Sequence, residues 1–489
     1  MRPEFGGQVS FRAQSVRTCR RGKAGRFGYI LLSVSACLLA AQSNAGQSVE
    51  PPNGQISLDD VVESALREYP QIHISQEELN ASIANIRLAR TAYLPRADGL
   101  LQANRATRNN IFGALLPQNI IPPISGPVIG SNNGGSVWGS AIGVLVTWQP
   151  FDFGLRHANV VAARAAKDRA DAALLGSQLE VGAAAADAFL TYVAARETVR
   201  AASASVDNWT TLLKSIHALT ASQLRPGADE ARIEAELAMG RTQLVYARQA
   251  EEDSRATLAK FFSHRPAELN LSLGRLLAQL PPSDEQPAFN SAAHPLMEEQ
   301  KAVVAQSAAE LLALKRTWVP QFALEGAASA RGTGAESDGG RLPGWNGLAP
   351  NVQNYTAGVN VTFSFMDFAS IHAKESAKSA TVRAEKAREQ LIDRTLNEQF
   401  AKAKATLEAA REVANDTPVE LKSAHIAFDQ AKARYQAGLT PIDDLAQAQR
   451  LVVQAEVDDS IARLSVWRAL LQFDAARGDL QSFLQAVNR

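Results

Sequence analysis

Cysteine is almost missing from this chain. Of 489 residues only Cys19 and Cys37 are cysteine, and both lie near the N-terminus. A chain cut after residue 45 keeps no thiol and must hold together without disulfides. Past residue 45 no run of 18 apolar residues occurs, which excludes a membrane-crossing helix there. The seven histidines are scattered without an HxxxH pair, so nothing has the spacing of a zinc site. There is no phosphate-binding glycine loop and no nucleophile elbow. Carboxylates are plentiful, but they fall on helix-patterned stretches where solvation explains them. The sequence points away from an enzyme and implies no cofactor and no metal.

What stands at the N-terminus reads as an address. Seven bases (Arg2, Arg12, Arg17, Arg20, Arg21, Lys23 and Arg26) precede an apolar run from Phe27 to Ala41. The "SNAG" that follows suits signal-peptide cleavage after Ala45. A second reading stays open: "VSAC" over Val34 to Cys37 fits a lipoprotein box, with lipidation at Cys37. Removing residues 1–45 takes away seven bases and one acid, leaving 43 bases against 49 acids, a net of −6. That balance gives no reason to expect nucleic acid as a partner.

The mature part says the same thing twice. "GVLVTWQPFDFG" (Gly143 to Gly154) returns as "GVNVTFSFMDFA" (Gly358 to Ala369), 215 residues later. Self-similarity at that distance means a duplicated unit. We divide the chain into a leader (1–45), a first repeat (46–280) and a second repeat (281–489). Each repeat holds two stretches of period-two alternation, expected as strands over 96–108 and 137–149, then 320–330 and 353–366. In the last of these Tyr355, Ala357, Val359, Val361, Phe363 and Phe365 alternate with Thr356, Gly358, Asn360, Thr362 and Ser364. About ten alternating residues with aromatics near the ends suit a lipid-facing barrel strand, though a soluble sandwich shows the same period. Trp318 and Tyr93 would sit at an interface.

Very long helical patterns decide between the two. From Leu155 to Leu224 there is no proline, and anchors such as Leu175, Phe189, Val193, Trp209 and Ile216 recur at sums of three and four. Ser370 to Gln436 repeats the pattern, interrupted at Pro418. Nearly 70 residues at ~1.5 Å each give roughly 100 Å of helix. Shorter helices are expected over Leu58 to Ala92, Glu230 to Phe262, Ala292 to Thr317 and Ile442 to Leu484. An adhesive or structural coiled-coil stalk is the alternative, and it leaves the strands unexplained. Four strands cannot close a barrel, and lipid tolerates no open edge, so copies must share one sheet.

This ordered set of helix, Pro-led strand, loop, strand, "FDFG"-like turn, long helix, glycine turn and return helix resembles the TolC-type outer-membrane efflux channels over nearly all of residues 56–485. The resemblance implies an α+β membrane protein. A homotrimer would share a twelve-stranded barrel, continued by a coiled-coil tunnel through the periplasm. It further implies a passive exit duct in a tripartite efflux or type I secretion system, docking on a periplasmic adaptor and an inner-membrane pump. The implied location is the outer membrane, with lipid around the barrel.

Candidate functional residues lie at the helix turns. In "RYQAGLTPIDDLAQAQ" (Arg434 to Gln449), Gly438 suits a helix C-terminus, Thr440 an N-cap and Pro441 the first helical position. Asp443 and Asp444 then fall in the first turn, where they also complement the helix dipole. By resemblance Asp444 matches the carboxylate that rings the constriction, and Tyr435 a tyrosine that latches the closed tip. The family's second acid ring is Gln447 here, a departure that weakens acidic selectivity. In "LRPGADEARIEAEL" (Leu224 to Leu237), resemblance places Arg225, Gly227 and Arg232 against the adaptor, with Gly438 and Leu439 on the other turn.

Overall fold

The computed structural model describes residues 56–107, 135–223, 226–262, 276–282, 289–336, 340–363 and 365–488. The expected leader, Cys37, Arg225 and residues 109–134 of the first loop lie outside them. Helix α1 (Leu58–Glu68) opens on a capping box, in which Ser57 Oγ accepts the Asp60 N–H at 3.2 Å and Asp60 Oδ2 accepts the Ser57 N–H at 2.9 Å. Pro70 then forces a break, because the residue before proline is driven out of the helical region. Tyr69 has ψ 129° and α2 (Pro70–Thr91) starts afresh. The one helix expected over Leu58 to Ala92 is therefore two.

Strands β1 (Arg96–Thr107) and β2 (Ser136–Phe151) follow, then helices α3 (Leu155–Ala221) and α4 (Gly227–Ala259). The second half comprises α5 (Pro295–Lys315), β3 (Gln321–Thr333), β4 (Val352–Thr362), α6 (Phe368–Gln436), α7 (Ile442–Arg477) and α8 (Gln481–Asn488). All four strands form one antiparallel sheet in the order β1-β2-β3-β4, so among the described residues β1 and β4 are each paired on one side only. Strand β2 exceeds its expected span because a register shift between Trp148 and Phe151 carries it past Pro150. A bulge is where a strand tolerates proline. Strand β4 stops at Thr362, short of the expected 366, because its partner begins opposite it at Gln321. Phe365–Asp367 instead form a 3-10 turn into α6.

Pairing gives the sheet two unlike faces. Leu101 opposes Ile142, Gly99 opposes Val144, Ala97 opposes Val146 and Leu324 opposes both Trp148 and Val359, all on one face. Its opposite carries Asp98, Thr147, Glu325, Asn360 and Thr362. Every residue of β4 is exposed.

The two longest helices run the length expected of them, whereas the helix expected over Ile442 to Leu484 ends at Arg477 because Gly478 turns left-handed. Helix α3 has 67 residues and α6 has 69, roughly 100 Å each at ~1.5 Å per residue. Helix α6 passes through Pro418 unbroken, contrary to the expected interruption. Proline removes one backbone bond, while packing on α7 holds both sides: Ala414 and Ala424 are buried, and Thr417 Oγ1 donates to Asp459 Oδ1 at 3.2 Å. The buried set of α6 (Leu396, Ala403, Leu407, Ala414, Thr417 and Ala424) steps by three, four and seven, a narrow coiled-coil seam. Leu391, Val413, Val419 and Ile426 of the same helix stay exposed. On α3 Phe189, Val193, Trp209 and Ile216 are buried as expected. Leu174 takes the inward position assigned to Leu175, which is 47% exposed.

The main core lies where α1, α3 and α7 meet, around Val61, Phe189, Trp467 and Phe473. Trp467 Nε1 donates to the Gln279 carbonyl at 3.1 Å. Helix α7 closes at Gly478 (φ 83°) with the Asp479 N–H bonded back to the Asp474 carbonyl. The Asp474 carboxyl is 2% exposed and pushed up to about 6 by burial, against the pull of Arg477 at 3.1 Å. The ordinary value is 3.8, so the folded chain holds this proton more tightly than the unfolded one. The stability this provides is full below the ordinary value and is lost as pH rises through about 6. The thermal midpoint of the detergent-solubilised chain should thus rise between about pH 7 and pH 5, and Asp474→Asn should flatten that segment. Equal slopes in the two proteins would remove Asp474 from the pH dependence.

Candidate functional site at the helical tips

The ends of the two helical hairpins, α3–α4 and α6–α7, meet away from the sheet. Their apolar base is a cluster of Trp209, Ile216, Ile233 and Leu237 from the first repeat with Tyr435, Ile442, Leu445 and Ala446 from the second. The α6 end is a glycine stop: Gly438 has φ 76°, its N–H bonds the Tyr435 carbonyl at 3.0 Å, and the Leu439 N–H reaches the Arg434 carbonyl at 2.9 Å. A side chain at 438 would be strained in that left-handed conformation. Pro441, not Thr440, is the N-cap of α7, and it offers no side-chain cap. Thr440 Oγ1 is buried without a hydrogen-bond partner. On the first repeat Pro226 precedes the helix, and Gly227 is its first residue rather than a left-handed turn position.

Polar bonds across this base fasten one repeat to the other. Tyr435, 2% exposed, donates its hydroxyl to Asp229 Oδ2 at 3.0 Å. Arg232 Nε lies 3.3 Å from Asp443 Oδ1 and 3.6 Å from Glu236 Oε1. Arg450 Nη1 reaches the same Glu236 oxygen at 3.8 Å. Glu236 is 3% exposed, so a buried carboxylate sits between one guanidinium from each repeat. Such a charge is tolerated only when paired. On the outer side His217 Nδ1 and Glu230 Oε1 are 2.6 Å apart, and this bond raises the imidazole pKa above its ordinary 6.5.

Of the residues singled out from sequence, the fold thus brings Tyr435, Asp443 and Arg232 into one clasp. Asp444, Gln447, Gly438 and Leu439 stay exposed on the second turn, with Leu439 at 71%. Gly227 is exposed, and a Cβ there would meet open space. Sequence reasoning assigned no role to Asp229, Glu236, Arg450 or the His217–Glu230 pair. One signal was present: Glu236 falls on the same seam as Ile233, Leu237 and Gly240, where a charge needs a partner.

The same two-repeat layout matches known proteins. The family model for outer membrane efflux proteins covers residues 61–262 and 288–479, well over half of the chain and in two successive segments. The chain belongs to the outer membrane efflux protein family. No curated protein sequence matches it. Among solved structures, the outer-membrane channel OprN superposes with TM-score 0.68 at 18% identity, covering 86% of this chain and 89% of that one. The Campylobacter jejuni CmeC outer membrane channel gives TM-score 0.70 at 14%, covering 88% and 89%. The open state of the Neisseria gonorrhoeae MtrE outer membrane channel gives 0.68 at 16%, covering 86% and 89%. At these identities the likeness establishes the fold alone: mostly helical, with four antiparallel strands in one sheet.

The clasp is open to measurement. Tyr435→Phe removes one bond to a carboxylate and should loosen the tip by about 1.5–3 kcal/mol. Hydrogen exchange should quicken at the end of α6 and the start of α4, while unchanged protection would show the bond to be idle. Because its folded pKa is raised, the His217 bond adds stability below about pH 6.5 and loses it as pH rises through the shifted value. Glu230→Gln should return the imidazole titration, followed by NMR, towards the ordinary value.

Proposed function

We propose that this chain is one protomer of a homotrimeric exit duct in the outer membrane, a passive conduit driven by its partners. The observation that carries the reading is the two-faced sheet with both edges unpaired. Among the described residues no strand lies beyond the outer edges of β1 and β4, and lipid cannot satisfy an open edge. Three copies would supply twelve strands and close the sheet. The exposed apolar residues of α6 would then meet helices of the next copy. Strand β4, at 11 residues, has the length that a tilted barrel strand needs, about 9–11. An adhesive stalk has no use for such a sheet.

In this reading the apolar face meets lipid, the polar face lines the bore, and the helices extend the bore through the periplasm. A cleaved or lipidated leader (after Ala45, or at Cys37) would direct export. The tips form the inner mouth, where Asp444, exposed in each copy, would place three carboxylates around the axis. Asp443 is held aside by Arg232, and Gln447 adds no charge, so selectivity for cations is expected to be moderate. Tyr435 would hold the mouth shut through Asp229. Gly227, Gly438 and Leu439, with Arg225 and the 45% exposed edge of Arg232, form the surface offered to a periplasmic adaptor that couples to an inner-membrane pump. Small molecules, metals or peptides would pass, selected by that pump rather than by the duct.

Planar-bilayer conductance tests this directly. Purified trimer should conduct poorly, and Arg232→Ala combined with Tyr435→Phe should raise conductance severalfold. Asp444→Asn should weaken block by multivalent cations on the tip side by about tenfold, the loss of roughly 1.4 kcal/mol of binding. A protein that forms no trimer and never conducts would overturn the duct; unchanged block would remove Asp444 from the mouth.

A further inference from the structure

The apolar face of the sheet contains a single charged side chain among the described strand residues, and it lies at the end away from the helices. Directly opposed residues share a face, so the pairing of Arg105 with Trp138 puts this arginine on the same face as Leu101, Ile142 and Val144, at its far end. Arg105 Nε donates to Ser136 Oγ at 3.1 Å, and its Cζ lies 5.5 Å from the centre of the Trp138 ring. Trp138 in turn stacks on Trp345 of the β3–β4 connection, with centres 5.6 Å apart and planes within 14°. Trp345 is held there by backbone: the Gly334 N–H bonds the Trp138 carbonyl at 2.9 Å, and Gly347 (φ 99°) turns the chain beside it. The second indole is nevertheless 74% exposed, and Leu101, four residues back on the same face, is 80% exposed. Arg341 stands at the same end, its guanidinium against Gly135.

We infer that Arg105, Trp138 and Trp345 form a binding site for a phosphorylated glycolipid of the outer leaflet. The inference rests on the duct reading for its membrane placement. A cation on a lipid-facing surface needs an anion, and the remaining guanidinium donors of Arg105 have no acceptor among the described residues. Guanidinium groups match phosphate in geometry and charge. The flat, exposed Trp345 offers a plate for a sugar ring. Acyl chains would run down the sheet over Leu101 and Ile142, which present nothing polar to them. A soluble protein partner would have no use for a lone cation above a wide apolar band, whereas a lipid with an anionic sugar head and apolar tails matches both.

The test uses full-length protein in nanodiscs of neutral lipid, with lipid A as the probe, either bisphosphorylated or enzymatically dephosphorylated. Native mass spectrometry reads the lipid retained. Wild type should retain the phosphorylated form roughly tenfold better, the effect of one charge-assisted pair. Arg105→Gln should abolish that preference. Trp345→Ala should weaken retention of both forms alike, because it removes the plate and not the charge. Equal retention of the two forms by wild type, or an unchanged preference in Arg105→Gln, would overturn the site. Conductance of the same preparations separates the readings: a conducting trimer without lipid preference sinks this site alone, and a protein that neither trimerises nor conducts sinks both.

Discussion

Two rows of backbone N–H and C=O groups, one along the outer edge of β1 and the other along β4, constrain everything else in this protein. A sheet edge in water can be solvated, but one flanked by an apolar face cannot stay open in lipid. In the proposed duct the single chain is therefore unfinished on its own. Its strands alternate by face rather than forming a core, and among the described residues no second layer covers them. The helical part carries the stability of the single chain, in the cluster around Phe189, Trp467 and Phe473. In the proposed duct the sheet contributes a shape that becomes stable only when copies join it.

The helices obey a related economy. Their seams are narrow and rich in alanine, which lets axes approach closely but buries little area per residue. Length compensates, since α3 and α6 each run for more than 65 residues. A narrow seam also leaves most of each helix free to face water or a neighbour. The exposed leucine, valine and isoleucine of α6 belong to that free surface rather than to a failed core.

Much of this was legible from sequence, for reasons that differ by element. Alternation in Tyr355 to Val361 reveals a strand because a period of two has no other use there. Glycine at 438 reveals a helix stop because its left-handed φ excludes side chains. The Pro70 break was missed because proline also opens helices, and only the extended Tyr69 shows that one helix ends there. Pro418 misled in the opposite direction: local propensity says interruption, yet seam packing on both sides overrides one lost bond. The clasp was half legible. Tyr435 and Arg232 stood out, whereas Asp229, Glu236 and Arg450 acquire meaning only when the two hairpins are set side by side. No local pattern announces a contact across 200 residues.

The two repeats have also diverged where they look most alike. After β2, Asp152 accepts the Gly154 and Arg156 N–H groups and pairs with the buried Arg156 guanidinium, which hold its pKa down against burial. After β4, the matching Asp367 makes no such cap. The tips show the same division: a phenol and an aspartate from the second repeat meet an aspartate and an arginine from the first. Each of these contacts takes one group from each repeat, and the two groups differ. What began as a repetition has thereby become a division of labour, since each half now supplies groups that the other half lacks at the matching place.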